Sequence, residues 1–291
     1  MLEDLACRVA VLADRRGLPE TPTPLGYGGL SLVRARAPTP LQDTLYAPLL
    51  CLVLQGAKET MFGASAVRFG QGESLIVSVT LPTVSRVVEA TPDAPYVSLA
   101  DEIDLRLLRA VKAQAGQAEP DEGAEAVVSR ASGADLADAL RRLFDLHDAP
   151  ASERHVMTPL IQREIHFRML GEAHGGMLRR LARPDSHESR IDAVIGLLHR
   201  EPTRNVSVEQ MAEKAGMSRS AFHEHFKAVT RTTPLQFQKN LRLLAARERL
   251  ASTGDGVGQV AFAVGYESPT QFSREYARKF GHPPSREPRG L

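Results

Sequence analysis

The chain has 291 residues, with 36 Lys or Arg against 35 Asp or Glu, and 43% of its residues are hydrophobic. This balance is typical of a water-soluble globular protein, and the length suffices for two domains. Its longest uncharged apolar stretches reach only about a dozen residues, too short to span a bilayer. Only two cysteines, Cys7 and Cys51, argue against a secreted disulfide framework, so we expect a cytoplasmic protein without a membrane partner.

The N-terminal hundred residues predict one helix followed by strands. The opening MLEDLACRVA is acidic and amphipathic, which favours a helix over a signal peptide. Between 24 and 98, short β-type runs alternate with glycines and prolines, and the run 75–81 alternates apolar with less apolar residues. Evenly spaced strands of this kind predict a small antiparallel barrel or jelly roll.

Barrels of this kind often hold a metal ion, for which imidazole is the usual ligand. The chain has no histidine before His147, so we expect neither a metal nor another cofactor. Lys58, Arg68 and Arg86 could anchor an anionic effector, but solvated strand positions are the default interpretation, and none is assigned as a ligand. Cys51 is expected to be an inert core thiol.

From 101 to 182 the pattern becomes helical. Two apolar stripes follow helical spacing: Leu136, Leu140, Leu143 and Phe144, then Ile161, Ile165, Met169 and Leu170. The stripes either pack against the barrel or form a helix pair that joins two chains. His155, His166 and His174 lack cysteines or clustered carboxylates at ligand spacing, so surface or capping roles are expected for them.

Residues 175–190 predict a domain junction, because Gly175, Gly176 and Pro184 interrupt the helical periodicity. The predicted domains are residues 1–185 and 186–291. The second has 16 Lys or Arg against 11 Asp or Glu, whereas the first has 20 against 24. This modest basic excess is consistent with phosphate contacts but does not establish them.

One sequence unit occurs twice in the second domain. GMSRSAFHEHFKAVTRTTP, residues 216–234, is followed by the related GYESPTQFSREYARKFGHPP, residues 265–284. The matching residues stand 50 positions apart: Phe222 and Phe272, Phe226 and Tyr276, Pro234 and Pro284. Upstream of each glycine lies a small-apolar stripe with helical spacing, so the unit is a helix, a glycine turn and a second helix.

The second helix of each unit has an apolar and a polar face. Its polar residues are Ser220, His223, Glu224 and Lys227 in the first copy, and Thr270, Gln271, Ser273, Arg274 and Arg278 in the second. This is the helix-turn-helix arrangement, whose second helix can enter the major groove of DNA. A helical hairpin that only packs is the alternative.

Residues 235–252 predict a helix between the two units, opened by Pro234 and closed near Gly254. At 1.5 Å per residue it spans roughly 27 Å. That length is close to the roughly 34 Å between successive major grooves on one face of DNA. One chain could therefore read two adjacent grooves.

These units, with LRLLAARERL between them and VGYESPTQFSREYARKFGHPP after it, resemble the AraC/XylS family of bacterial transcription regulators over about residues 188–287. The resemblance implies a DNA-binding domain of seven helices. The implied DNA-contacting residues, with Lys227 added from the same polar face, are Arg219, Ser220, His223, Glu224, Lys227, Pro269, Thr270, Gln271 and Arg274.

Two of these residues depart from the expected chemistry. Glu224 stands where many relatives have a basic residue, and a carboxylate near phosphates is unfavourable unless it accepts from a cytosine amino group. A solvated position, or an intrahelical pair with Lys227, is an equally good interpretation. Pro269 suits the first turn of a helix, so a structural role is expected.

The N-terminal half resembles the cupin-like domain of one subgroup of these regulators, over roughly residues 25–180, through YAPLLCLVLQGAKETMFG, GESLIVSVTLP and VVEATPDAPYVSL. The resemblance implies that this half senses a small-molecule effector, forms a homodimer, or does both. It also implies promoter DNA as partner, and RNA polymerase as a further partner if the protein activates transcription.

The predicted fold class is therefore α+β with two domains: an N-terminal cupin-like β-barrel with flanking helices, and a C-terminal all-α domain with two helix-turn-helix units. The predicted function is sequence-specific transcription regulation without enzyme activity. The alternative is a metal-free cupin-like binding protein or enzyme that uses its helical domain as an interaction scaffold.

Overall fold

The computed structural model of the chain describes residues 1–63, 65–116 and 125–288. Antiparallel strands in two sheets form the N-terminal half of this described part. The larger sheet has the order β1 (Thr23–Pro24), β2 (Leu30–Ala35), β9 (Tyr96–Glu102), β4 (Leu49–Gln55), β7 (Glu73–Val77) and β10 (Val127–Ala131). The smaller sheet has the order β3 (Gln42–Tyr46), β8 (Leu81–Glu89), β5 (Ala57–Phe62) and β6 (Ser65–Gly70).

Strand β4 shows why the larger sheet is apolar on both faces. Leu50, Leu52 and Leu54 pack with the flanking helices, whereas Cys51 and Val53 point into the space between the sheets. Successive side chains of a strand face opposite sides, so a strand covered on both sides is a continuous apolar run. The predicted alternation over 75–81 is interrupted, because β7 ends at Val77 and β8 begins at Leu81.

Helices cover the outer face of the larger sheet: α1 (Leu2–Arg15), α2 (Leu105–Ala115), α3 (Ala134–Asp145), α4 (Ala151–Gly171) and α5 (Gly176–Leu181). Both predicted apolar stripes of α3 and α4 are buried there in one cluster with the sheet. Their role is packing against the barrel, and a contact between two chains would need other residues. Within the described residues, no helix combines the length and apolar content needed to cross a membrane.

The helical pattern predicted for 101–182 is wrong at β10, which pairs with β7 from Val127 opposite Val77 to Ala131 opposite Glu73. The segment is too short to show a strand period, and its ladder hydrogen bonds are made to β7, which is distant in the sequence.

The expectation of surface or capping roles for the three histidines is wrong in part. His155 is exposed, but His166 and His174 are buried. His166 Nε2 accepts a hydrogen bond at 2.9 Å from the backbone N of Asp104, the N-cap of α2, which is a capping-type contact. His174 Nε2 lies 2.8 Å from Ser74 Oγ. The described residues contain no cluster of three metal-ligating side chains.

The C-terminal part is helical: α6 (His187–Arg200), α7 (Val208–Lys214), α8 (Arg219–Thr230), α9 (Pro234–Ser252), α10 (Val257–Ala263) and α11 (Pro269–Phe280), with a 3₁₀ helix at Pro284–Arg286. The described part of this domain therefore has six α-helices and one 3₁₀ helix, whereas the family resemblance implied seven helices. The predicted joining helix is confirmed as α9, with Pro234 in its first turn and Thr233 as N-cap.

The predicted junction at 175–190 contains the short helix α5, and Pro184 falls between α5 and α6. The division at 185 and 186 remains a prediction. The two halves are nevertheless in contact, because α9 packs against β3 and β8. A single apolar cluster also runs from the barrel interior into α6, α7, α8 and the start of α9.

Candidate nucleic-acid interface

Both predicted turns are glycine turns in the left-handed region. Gly216 has φ +61° between α7 and α8, and Gly265 has φ +86° between α10 and α11. At Gly265 an added Cβ would lie 2.5 Å from the carbonyl oxygen of Thr203, so a side chain is excluded by contact as well as by φ. The turn is 215–218 in the first unit and 264–268 in the second, so the second turn is one residue longer.

The repeat extends to both ends of the second helices. Ser218 and Ser268 are N-caps, and their hydroxyls accept hydrogen bonds at 3.3 Å from the backbone N of Ala221 and Gln271. At the opposite ends, Arg231 and Gly281 are left-handed C-caps with φ of 57° and 77°. Both pairs of caps are 50 residues apart, so the two units share boundaries as well as core positions.

Buried aromatic rings hold α8 and α11 against their neighbours. Phe226 contacts Phe222 on α8 and meets Phe237 of α9 edge to face, with ring centroids 5.3 Å apart. Phe272 and Tyr276 of α11 are fully buried in the same way. The inner faces predicted from helical spacing are therefore confirmed, and they determine which face of each helix remains outside.

In the first unit, the structure leaves every predicted DNA-contacting side chain exposed: Arg219, Ser220, His223, Glu224 and Lys227. Arg219 Nη1 lies 3.0 Å from Glu209 Oε1, an exposed ion pair between the first turns of α8 and α7. Glu224 has no ion-pair partner among the described residues, so the pairing with Lys227 is not formed.

In the second unit, Thr270, Gln271 and Arg274 are exposed and Pro269 is half-buried. Pro269 is the first residue of α11, which agrees with the structural role expected for it. The Gln271 side-chain amide donates to Glu275 Oε1 at 3.3 Å. That bond orients the Gln271 side-chain amide on the helix surface. It uses the amide nitrogen and does not involve the side-chain oxygen of Gln271.

Glu275 is a site residue that sequence reasoning missed. It is buried, and its carboxylate accepts hydrogen bonds from Lys239 Nζ at 2.9 Å, from the Tyr266 hydroxyl at 2.9 Å and from Gln271. Burial raises the pKa of Glu275, but these hydrogen bonds outweigh it and hold the pKa below its ordinary value. The sequence feature that could have indicated this burial is the position of Glu275 on the inner face of α11, three residues after Phe272.

The C-terminal ends of α8 and α11 are held by the N-terminal half. Arg231 forms an ion pair with Glu125 at 2.5 Å, and its backbone packs against Gly63 in the β5–β6 turn. Lys279 Nζ lies 3.0 Å from Asp43 Oδ1 on β3. The N-terminal turns of the same two helices remain exposed, and those turns contact base edges in helix-turn-helix proteins.

The chain matches two known domains. Residues 27–177 match the AraC-type transcriptional regulator N-terminus, and residues 211–288 match a helix-turn-helix domain. The chain belongs to the AraC-type transcriptional regulators. The resemblance found in the sequence is thereby confirmed, as is the fold class of a β-rich N-terminal domain followed by a helical one.

Two curated relatives agree with this membership. The regulator is 30% identical over 136 residues to the HTH-type transcriptional regulator CdhR of Pseudomonas aeruginosa and 33% identical over 90 residues to AlkR of Acinetobacter baylyi. These matches span 47% and 31% of this chain, but only 38% and 29% of those two relatives.

A crystal structure of ToxT from Vibrio cholerae with a bound unsaturated fatty acid superimposes with a TM-score of 0.54 at 9% identity, covering 88% of this chain and 92% of that one. At this identity the likeness concerns the fold alone.

Proposed function

We propose that the regulator binds promoter DNA sequence-specifically, with α8 and α11 in successive major grooves. The observation that carries the proposal is the pair of helix-turn-helix units whose buried faces leave the polar first turns of α8 and α11 exposed. The 19 residues of α9 span about 28 Å. That length suits two units on adjacent grooves, which lie about 34 Å apart.

The proposed contacts divide by chemistry. Arg274 is proposed to donate two hydrogen bonds to one guanine, and Gln271 to contact an adjacent base. Lys227 is proposed to contact phosphates. The remaining groove-facing positions are Arg219, Ser220, His223, Glu224, Pro269 and Thr270.

The test replaces Arg274 with alanine and measures binding to promoter fragments carrying every single base-pair change. We expect a loss of about 1–3 kcal/mol, with relaxed specificity at one base pair and unchanged preference elsewhere. Arg106→Ala is the matched control, because it removes an arginine that is 92% exposed and lies outside both units. Unchanged affinity and specificity in Arg274→Ala would contradict the assigned face.

We also propose that two copies associate through α4. Val156, Leu160 and Phe167 lie on one side of this helix with exposed fractions of 58%, 57% and 49%. Exposed apolar residues at this spacing are typical of a helix contact. Leu160→Glu should give a monomer in sedimentation experiments, whereas Leu41→Glu, which changes another exposed leucine, should not.

The N-terminal half is proposed to sense a small molecule and to alter how the two helix-turn-helix units are presented. Its contacts with Arg231 and Lys279, at the ends of α8 and α11, provide a direct physical route for that effect. If the regulator activates transcription, RNA polymerase is proposed as a further partner. The proposed location of the protein is the cytoplasm.

A further inference from the structure

The space between the two sheets contains a cavity of about 210 Å³, called here the barrel cavity. Its lining includes Tyr46, Cys51, Lys58, Phe69, Leu75 and Ser98. Its volume corresponds to roughly seven water molecules at about 30 Å³ each. The cavity therefore has room for a small organic molecule, and most of its wall is apolar.

The strand period separates the three basic residues that could hold an anion. Arg86 Nε donates to Glu59 Oε2 at 2.8 Å, and Arg68 is paired with Glu89, so both are neutralised by partners at the surface. Lys58 instead lines the barrel cavity. In the described part of the chain, no carboxylate lies within ion-pair distance of its ammonium group.

Two carboxylates, Asp101 and Glu102, also line the cavity, but neither lies within ion-pair distance of Lys58 in the described residues. Burial raises the pKa of Asp101 to about 8, which keeps that group protonated at neutral pH. Lys58 Nζ lies 5.4 Å from the centre of the Tyr46 ring, a cation–π contact. Burial raises the pKa of the neighbouring Cys51 thiol, which keeps that group neutral. A buried ammonium group is stabilised when an anion pairs with it, and neither carboxylate of the described cavity wall reaches Lys58.

A second polar group in the wall also lacks a strong partner. Ser98 is 1% exposed, and its hydroxyl has no nitrogen or oxygen partner in the described residues. Its neighbours are the Cys51 thiol, a weak hydrogen-bonding group, and the Tyr96 hydroxyl, which is itself buried and not within hydrogen-bonding geometry of any described group. Buried hydroxyls are normally satisfied, so an unpaired one beside a cavity indicates that a ligand or water completes it.

We propose that the barrel cavity binds a small monocarboxylate, with the carboxylate at Lys58 Nζ and the Ser98 hydroxyl, and the apolar body against Phe69 and Leu75. This inference rests on the proposed role of the N-terminal half as a small-molecule sensor. A charge-assisted hydrogen bond from an ammonium group selects a carboxylate over an uncharged molecule of the same shape.

The test uses the full-length protein without DNA and titrates it calorimetrically with benzoate and hexanoate, and with benzamide and hexanamide as uncharged counterparts. We expect at least one carboxylate to bind, and its amide to bind much more weakly. Lys58→Met should weaken carboxylate binding about ten- to a hundredfold, as for the loss of a charge-assisted hydrogen bond. Arg86→Met, which removes a surface-paired cation, should bind like the wild type.

Ser98→Ala is the second variant, which keeps the test possible if Lys58→Met does not fold, because it preserves the lysine. It should weaken binding of the same carboxylate several-fold. The inference is overturned if neither carboxylate binds at millimolar concentration, if amides bind as tightly as carboxylates, or if folded Lys58→Met and Ser98→Ala both retain wild-type affinity. Promoter binding is measured separately, so intact promoter binding without carboxylate binding would overturn this inference alone.

Discussion

The two helix-turn-helix units have the same spacing but different supports. Position 225 in the first unit and position 275 in the second are equivalent, yet they hold His225 and Glu275. The ring of His225 stacks on His187 of α6, with centroids 4.1 Å apart and an angle of 13° between planes. Glu275 instead binds Lys239 and Tyr266 through hydrogen bonds.

The cores differ in the same way. The buried residues of the first unit belong to a cluster that continues into the barrel, whereas the second unit has a separate cluster of nine buried residues. The repeated sequence thus specifies a hairpin, and the neighbouring elements determine how it is held. The first unit is tied to the N-terminal half through apolar contacts, and the second depends more on polar ones.

The largest expected effect comes from the aromatic residues of the two cores. Phe272→Ala should reduce stability by about 3–5 kcal/mol, because it empties a fully buried ring position. Hydrogen exchange should increase within α10 and α11 while the barrel stays protected. Phe222→Ala is the matched variant, and its loss of protection should spread along the larger cluster to β3 and β8. Identical hydrogen-exchange patterns in the two variants would contradict the conclusion that the two units have differently connected cores.

Glu275→Ala should cost about 2–3 kcal/mol, because it leaves Lys239 and Tyr266 without their buried acceptor. His225→Ala, which removes only a stacked ring, should cost less. Chemical denaturation of the two variants measures the difference.

The same carboxylate gives a pH prediction. The pKa of Glu275 in the folded protein lies below its ordinary value of 4.5, so its contribution is present above pH 4.5 and is lost as the pH falls through the folded pKa. Exchange in α11 should increase on acidification in the wild type, and Glu275→Gln should reduce that increase. A wild-type response equal to that of Glu275→Gln would exclude this residue as the cause.

Removing the ion pair between β3 and α11 should have a smaller effect. The Asp43 and Lys279 side chains are 15% and 16% exposed, so Asp43→Ala leaves a partly buried ammonium group and should cost about 1–2 kcal/mol. Glu125→Ala breaks the corresponding, more exposed contact of the first unit and should cost about 0–1 kcal/mol. Thermal unfolding at low and high salt measures the stability lost in each variant. Equal losses in Asp43→Ala and Glu125→Ala would show that the two ion pairs stabilise their units to the same extent.

The smallest expected effect concerns Glu224, which occupies the position equivalent to Arg274. It is exposed and has no ion-pair partner among residues 1–63, 65–116 and 125–288. Glu224→Gln should strengthen binding to all DNA sequences by about 0.5 kcal/mol, because a negative charge near phosphates is removed. Loss of affinity at a single cytosine-containing base pair would instead show that the carboxylate reads that base.

The helical repeat was predictable because its signals are local. Ser218 and Ser268 as caps, Gly216 and Gly265 in turns, and apolar residues every three or four positions act within a few residues of each other. The boundaries of α9 were likewise readable from Pro234. Strand β10 was not, since the β7 residues that pair with it lie 50 to 58 positions earlier.

For the candidate DNA-contacting residues, too, local features were predictable and contacts between distant residues were not. The sequence identified both polar faces, and their exposure agrees with the helical period. It did not identify the burial of Glu275, because only the packing of α9 against α11 brings Lys239 to that carboxylate. Nor did it separate Lys58 from Arg68 and Arg86, which requires knowing which side of the strand faces the cavity.

By itself, the sequence determined the two helix-turn-helix units, the helix between them and the β-rich character of the first half, because hydrophobic period and turn chemistry act over short distances. Only the tertiary structure decided which charges are paired, which apolar stripes are buried and which lysine faces the barrel cavity. Those outcomes depend on contacts between residues far apart in the chain, and no local pattern encodes them.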